Sequence, residues 1–155
     1  MSFTLEPLSA AADPDALAEE IAVSFGSDTD AARELIASNL AFLERVPRPD
    51  PWGCYVARSD GSAVGMAAFK SAPNAQGEVE IAYMTFPDCE GRGHAGSTID
   101  SLRSLALDHG VATVIAHTLP EENASNRALR RSRFQFAGLV DDPEDGPVWQ
   151  WRYQP

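Results

Sequence analysis

The run Glu78-Val79-Glu80-Ile81-Ala82-Tyr83-Met84-Thr85-Phe86-Pro87-Asp88-Cys89-Glu90-Gly91-Arg92-Gly93-His94-Ala95-Gly96 decides how the chain is read. Its opening residues, Glu78 to Phe86, alternate in character and are rich in β-branched and aromatic side chains, the pattern of a strand. From Gly93 to about His109 the spacing is helical, with Ile99, Leu102, Leu105 and Ala106 on one face and Gly110 suited to the position after the helix end. Between strand and helix lies a glycine loop. Glycine lets a backbone come close to a ligand, and a helix start offers unpaired N–H groups and the positive end of a dipole. A phosphate or pyrophosphate is the natural guest there; a plain tight turn is the alternative.

Working outward, Val111 to Leu119 is a second β-rich run. Two strands joined by a helix should lie parallel, with a right-handed crossover. Upstream, Phe3 to Leu8 alternates weakly, Asp13-Pro14 opens a helix carrying Leu17, Ile21 and Phe25, and Asp28 or Thr29 caps a second one striped by Ala32, Leu35, Ile36, Leu40 and Leu43. Val46 to Pro51 reads as a loop. Cys54 to Arg58 and Ala63 to Phe69 flank the hairpin signal Asp60-Gly61. Downstream come a short helix, Asn123 to about Ser132, and two strands, Phe134 to Val140 and Val148 to Tyr153. The expected fold class is α/β of the α+β type: one domain, residues 1–155, with a mixed, mostly antiparallel sheet containing one parallel pair.

The chain has 155 residues, 12 of them basic and 23 acidic, for a net charge of −11. That balance excludes wholesale binding to a nucleic-acid backbone, which needs a broad cationic footprint. No apolar run reaches the ~18 residues of a membrane span, and the N-terminus has no secretory pattern. Two cysteines, Cys54 and Cys89, make no disulfide framework, so a reducing cytoplasm is the expected setting. Residues 1–50 hold 10 acids and 3 bases, which favours a cationic partner. His94, His109 and His117 have no metal-ligand spacing, and no metal is expected.

Read literally, Gly91, Gly93 and Gly96 spell GxGxxG, with Glu121 beyond the next strand as a ribose-binding acid. Pro87 to Glu90 intervene between the strand and the first glycine, however, and too few residues follow for another parallel repeat. A nicotinamide or flavin enzyme is therefore disfavoured. A second spelling fits better. Glu90-x-x-Gly93-x-Ala95 resembles the [Q/R]-x-x-G-x-[G/A] loop of the GNAT acetyltransferase superfamily. Glu80-Ile81-Ala82-Tyr83 with Pro87, and Asn123-Ala124-Ser125-Asn126-Arg127-Ala128-Leu129 with Phe134, are similar to segments of its RimJ/RimL-like branch.

The resemblance implies a GNAT fold in which the parallel strands splay and helices cover both faces of the sheet. Acetyl-CoA would enter the wedge as cosubstrate. Its pantetheine arm would bond Met84, Thr85 and Phe86, and its pyrophosphate would lie on Gly91, Arg92, Gly93, His94, Ala95 and Gly96. The implied activity is N-acetyl transfer to a primary amine through a tetrahedral intermediate. Free amines are largely protonated at neutral pH, so a general base is useful. Glu80 is the candidate, on an apolar strand face that would raise a carboxylate's pKa; a salt bridge to Arg58 is the structural alternative, with Glu78 as a partner of Lys70.

Ser125 resembles the residue that meets the departing thiolate, against the plainer reading of a helix-cap or first-turn serine with Asn123 as the cap, and Asn123 is that cap or a pantetheine ligand. Arg130, within the cluster Arg127, Arg130, Arg131 and Arg133, would face the ribose phosphate, with a solvated helix face balancing the acidic remainder as the alternative. Three positions depart from the family pattern: Glu90 replaces Gln or Arg, Leu129 replaces a tyrosine, and Arg133 replaces a glycine. A non-catalytic acyl-CoA-binding module is the alternative function. The acceptor is expected to be cationic, and a homodimer stays open, with Trp149 and Trp151 as core or dimer contacts. Trp52 is read as core or acceptor-pocket lining, and Cys89 beside His94 hints at a thiol nucleophile without an activating third group.

Overall fold

The computed structural model describes residues 2–8, 13–45 and 49–155. The expected loop at Val46, Pro47 and Arg48, and the side chain of Leu43, lie outside the described residues. Among the described residues, thirteen elements follow the expected order: β1 (Phe3–Pro7), α1 (Pro14–Ala22), a 3₁₀ turn (Val23–Phe25), α2 (Thr29–Arg45), β2 (Cys54–Ser59), β3 (Ser62–Phe69), β4 (Glu78–Thr85), a 3₁₀ turn (Pro87–Cys89), α3 (His94–Asp108), β5 (Thr113–Thr118), α4 (Ala124–Arg131), β6 (Gln135–Asp142) and β7 (Gly146–Tyr153). The two 3₁₀ turns have no periodicity that a sequence reading could catch.

Local chemistry sets the boundaries. Asp13 accepts hydrogen bonds from the amides of Asp15 and Ala16, with Pro14 in the first turn of α1. Asp28, rather than Thr29, caps α2 by accepting from Ala31 N–H at 3.0 Å. Asp60 and Gly61 both have positive φ, 50° and 86°, as the tight hairpin between β2 and β3 requires.

The sheet runs β1-β2-β3-β4-β5-β7-β6. Among these strands only β4 and β5 are parallel, and their ladder covers Glu78↔Thr113 to Ile81↔Ala116. Beyond that point β4 continues four residues, to Thr85, while β3 stays paired to it through Gly65↔Thr85. The parallel pair therefore parts within β4, ahead of the glycine loop that follows the strand. Gly65 permits this arrangement: a Cβ there would stand 2.2 Å from the carbonyl oxygen of Met84.

The sheet carries one apolar core on each face. On one side α3 and α4 bury Ile99, Leu102 and Leu129 against Val79, Ile81, Val114 and Trp151. On the other, α1 and α2 bury Ile21, Ala32 and Ile36 against Val56, Met66 and Phe86. Each such aliphatic side chain contributes about 1.5–3 kcal/mol when fully removed from water. Trp52 belongs to the first core, with its ring centroid 5.0 Å from that of Phe69, which settles its role as packing. Trp151 is core and Trp149 packs against it.

Candidate active site

Strand β4 carries two faces of chemistry. Val79, Ile81 and Tyr83 point to the α3/α4 side, and Glu80, Ala82 and Met84 to the α1/α2 side, as a period of two demands. Past Ile81 the gap beside β4 opens into a cavity of about 560 Å³. It is lined by the end of β4, the glycine loop, the first turn of α3 and one face of α4 from Ala124 to Arg131.

Gly91 and Gly93 have φ of 78° and 82°, the left-handed region where a side chain is strained. Gly93 caps α3 without any side-chain hydrogen bond, and no acid lies in the helix's first turn. The first amides of α3 therefore lack helix partners and border the cavity. Glu90 is exposed at the rim.

Of the residues expected to bind cofactor, Met84, Thr85, Gly91, Gly93, His94, Ala95 and Gly96 line this cavity. Four do not. Phe86 is fully buried against Phe25, with ring centroids 5.1 Å apart. Arg92 is exposed outside the lining. Asn123 is the cap of α4, its side chain accepting from Asn126 N–H at 2.9 Å. Arg130 turns away, forming two hydrogen bonds to Glu122 (2.9 and 2.8 Å) and covering the Trp151 ring at 5.1 Å. The cluster's place at the cavity is taken by Arg127 and Arg131. Helical phase explains the exchange, since residue 130 sits one position off the face that residues 127 and 131 share.

Ser125 stands in the first turn of α4, behind the Asn123 cap. Its hydroxyl lies 2.8 Å from the phenol of Tyr83, and both side chains line the cavity. Burial pushes the Tyr83 phenol up to about 12, against a smaller lowering by Ser125. Tyr83 entered the sequence reading only as part of a motif; its role was hidden because its partner is 42 residues away. Leu129 is buried in the core, so no group at that position reaches the cavity. Cys89 also lines the cavity, and its thiol donates to Ser24 Oγ at 3.5 Å.

The surroundings of Glu80 differ from the expected apolar face. Its Oε2 accepts from Lys70 Nζ at 3.2 Å and from His117 Nδ1 at 3.1 Å. Arg58, the expected partner, is instead bound to Glu6 and Glu20 on the outer strands and α1. Glu78, expected to pair with Lys70, bonds Arg152 and Asn74, and those hydrogen bonds hold its carboxyl below the usual range. Asp142 Oδ2 lies 3.7 Å from His117 Nδ1. The amides of Glu144 and Asp145, then the charges of Lys70 and His117, lower the Asp142 carboxyl.

Gln150 meets His117 Nε2 at 3.1 Å. With the amide donating there, His117 keeps its proton on Nδ1, directed at Glu80. Glu80, His117 and Asp142 each place one donor atom within 4.8 Å of the others, a grouping of three strands that spacing in sequence does not show. The ammonium of Lys70 already supplies a positive charge on Glu80 Oε2.

A second groove, about 240 Å³, lies on the α1/α2 face, lined by Leu35, Asn39, Met66, Ala67, Ala68, Ala82, Tyr83 and Met84. Tyr83 and Met84 line both spaces, which therefore approach each other at the end of β4. Among the described residues no helix is long and apolar enough to cross a membrane.

Comparison with known proteins agrees with this geometry. No curated protein matches the chain in sequence. Among solved structures, the Microcin C7 self immunity acetyltransferase MccE, in complex with acetyl-CoA and AMP, is similar at TM-score 0.72 and 15% identity over 99% of this chain and 92% of that one. An acetyl transferase from Salmonella typhimurium that modifies the N-terminal serine of ribosomal protein L7/L12 is similar at TM-score 0.73 and 14% identity, covering 100% and 96%. RimJ from Mycobacterium smegmatis, in complex with CoA-disulfide, gives TM-score 0.73 and 15% identity, covering 98% and 81%. The Acetyltransferase (GNAT) domain family matches residues 3–135. With that match spanning most of its length, and with its parallel strands parted over a glycine-started helix, the chain belongs to the GNAT acetyltransferase family and is an acyltransferase.

Proposed function

We propose that this protein is an N-acetyltransferase that moves the acetyl group of acetyl-CoA to a primary amine by direct attack through a tetrahedral intermediate. The carrying observation is that Tyr83 and Met84 line both the cavity at the glycine loop and the groove on the opposite face. A thioester reaching the gap from one side would face an amine reaching it from the other.

The residues present fit acetyl-CoA. The amides of α3's first turn suit a pyrophosphate. The flank of β4 from Ala82 to Thr85, left without a partner by β5, suits an amide-bearing arm. Arg127 and Arg131 suit a phosphate. Within Met84 to Phe86, the Phe86 N–H is taken by the Val64 carbonyl and Met84 pairs with Met66 of β3, so the Thr85 N–H, on the flank that β5 leaves open, is the proposed donor to the developing oxyanion.

Glu80 is the proposed base, acting directly or through water. Its Oε2 is held by Lys70 and His117, while Oε1 has no hydrogen-bond partner among the described residues and is left to take a proton. A cationic acceptor is supported by the carboxylates of Glu80, Asp142 and Asp145, which outnumber Lys70, the lysine beside them. Protein N-termini of the kind modified by the Salmonella relative, and small polyamines, are the acceptor classes to try first.

A thiol-release assay with acetyl-CoA and an amine panel, run beside calorimetry, tests the reading. Turnover with cationic amines is expected, and turnover only with neutral or anionic amines would reject the acceptor class. Binding of acetyl-CoA without turnover by any amine would point to an acyl-CoA-binding module. No binding at all would remove the proposal.

A further inference from the structure

The proposed acetyl transfer, on which this inference rests, ends with the C–S bond broken and an electron pair on sulfur. Where the family pattern has a tyrosine on α4, this chain has Leu129, and that side chain is packed in the core. A phenol is nevertheless present at the cavity, supplied by the neighbouring strand. Tyr83 lines both the cofactor cavity and the acceptor groove, and its hydroxyl lies 2.8 Å from that of Ser125 in the first turn of α4. The backbone of α4 is capped by Asn123, so Ser125 is not needed there and its hydroxyl is directed into the cavity.

We propose that Tyr83 is a positioning residue that orients the Ser125 hydroxyl as a hydrogen-bond donor to the sulfur leaving the thioester. Two hydroxyls in contact share one hydrogen bond, so when one donates the other accepts. If the serine proton points at sulfur, the serine oxygen is left to accept, and the phenol must donate to it. A phenol that stays protonated across the working pH range is suited to that one direction.

The chain of contacts is then Tyr83 O–H to Ser125 O–H to sulfur. Neither hydroxyl loses its proton. The new C–N bond forms as the C–S bond breaks, the amine's proton leaves through Glu80 to solvent, and the thiolate takes one from solvent after release.

The titration of CoA bound to the protein tests this without any acceptor. The thiolate absorbance of the CoA complex is followed against pH, with the desulfo-CoA complex as blank so that protein tyrosines and cysteines cancel. Calorimetry on the same samples reports affinity. In the wild type the bound thiol is expected to titrate below free CoA by about one pH unit, a tenfold gain in thiolate fraction.

Ser125→Ala and Tyr83→Phe are each expected to return the titration toward free CoA with little change in affinity. The double variant should move no further than either single one, because the two act as one chain. Arg130→Ala, outside the cavity, should behave as wild type. A shift lost in Ser125→Ala but kept in Tyr83→Phe would overturn the role of Tyr83, as would a bound thiol that titrates like free CoA in the wild type. Failure of wild type to bind CoA is a different result: it would remove the acetyl-CoA reading itself and this inference with it.

Discussion

Asn126 accepts the indole N–H of Trp151 across 2.9 Å, and the two side chains are 0% and 1% exposed. The same Asn126 oxygen accepts from the Thr118 hydroxyl, and its amide group donates to the carbonyls of Leu119 and Glu121. This one side chain ties α4 to β5, to β7 and to the turn between β5 and α4. Asn126→Leu would take the acceptor from the Thr118 hydroxyl and the side-chain donor from the Glu121 carbonyl, and would leave the indole only its longer contact to Thr118 Oγ at 3.2 Å, at about 1–3 kcal/mol for each buried group left unpaired. The expected loss is on the order of 3 kcal/mol or more in a urea melt, with the cofactor cavity loosened because α4 forms one of its walls.

Arg133 has φ of 68°, a left-handed conformation for a side chain that ordinarily avoids it. It closes α4: its amide bonds the carbonyl of Arg130, and that of Phe134 bonds the carbonyl of Leu129, the pairing of a helix end that favours glycine. The family pattern has glycine at this point, and the geometry says why. Arg133→Gly is therefore expected to stabilise the protein by about 1 kcal/mol, raising the thermal midpoint by a few degrees without changing affinity for CoA.

Arg127 and Arg131 border the cavity and Arg130 does not. Loss of either bordering arginine is expected to weaken CoA binding about tenfold, as removal of one charged hydrogen bond to a phosphate does. Calorimetry with dephospho-CoA should show that penalty shrink if the contact is to the ribose phosphate. Arg130→Ala should leave CoA affinity unchanged, since its guanidinium is spent on Glu122 and on the face of Trp151.

Asp142 has its carboxyl lowered by two turn amides and by Lys70 and His117. A group lowered in the folded chain stabilises it above the unfolded value, about 3.9 for aspartate, and that stabilisation disappears as pH falls through the lowered folded value. Asp142→Asn should thus melt below wild type at pH 7, and the two should converge in strong acid. Melting curves from pH 7 down to about 2 check the sign; an offset that stays constant with pH would mean that the charge is not the cause.

Much of the architecture was legible because its signals are local. Asp13-Pro14, Asp60-Gly61 and the loop glycines Gly91 and Gly93 each state a backbone requirement at their own position. The order of elements followed, and with it the parallel pair and the cavity over the glycine loop. What escaped was set by distance in sequence.

Glu80 shares a strand face with alanine and methionine, so an apolar setting was the natural inference, yet its carboxylate meets Lys70, just past the end of β3, and His117 of β5. Arg130 was chosen from a cluster in which only helical phase against the cavity separates one arginine from the next. Ser125 and Asn126 are adjacent in one motif, but one faces the cavity and the other the core. The motif carried no sign of which was which.

The parting of β4 from β5 after Ile81 leaves a sheet with one segment missing. With the acetyl donor's amide arm laid along that flank, a metabolite finishes the architecture of the enzyme that consumes it. Deuterium exchange at Ala82 to Thr85 should then slow on complexation, and the folded state should gain about 2.7 kcal/mol at a free donor level a hundred times its Kd. Starved of donor, the same chain would be easier to unfold and to proteolyse, so its lifetime would follow the supply of its own fuel.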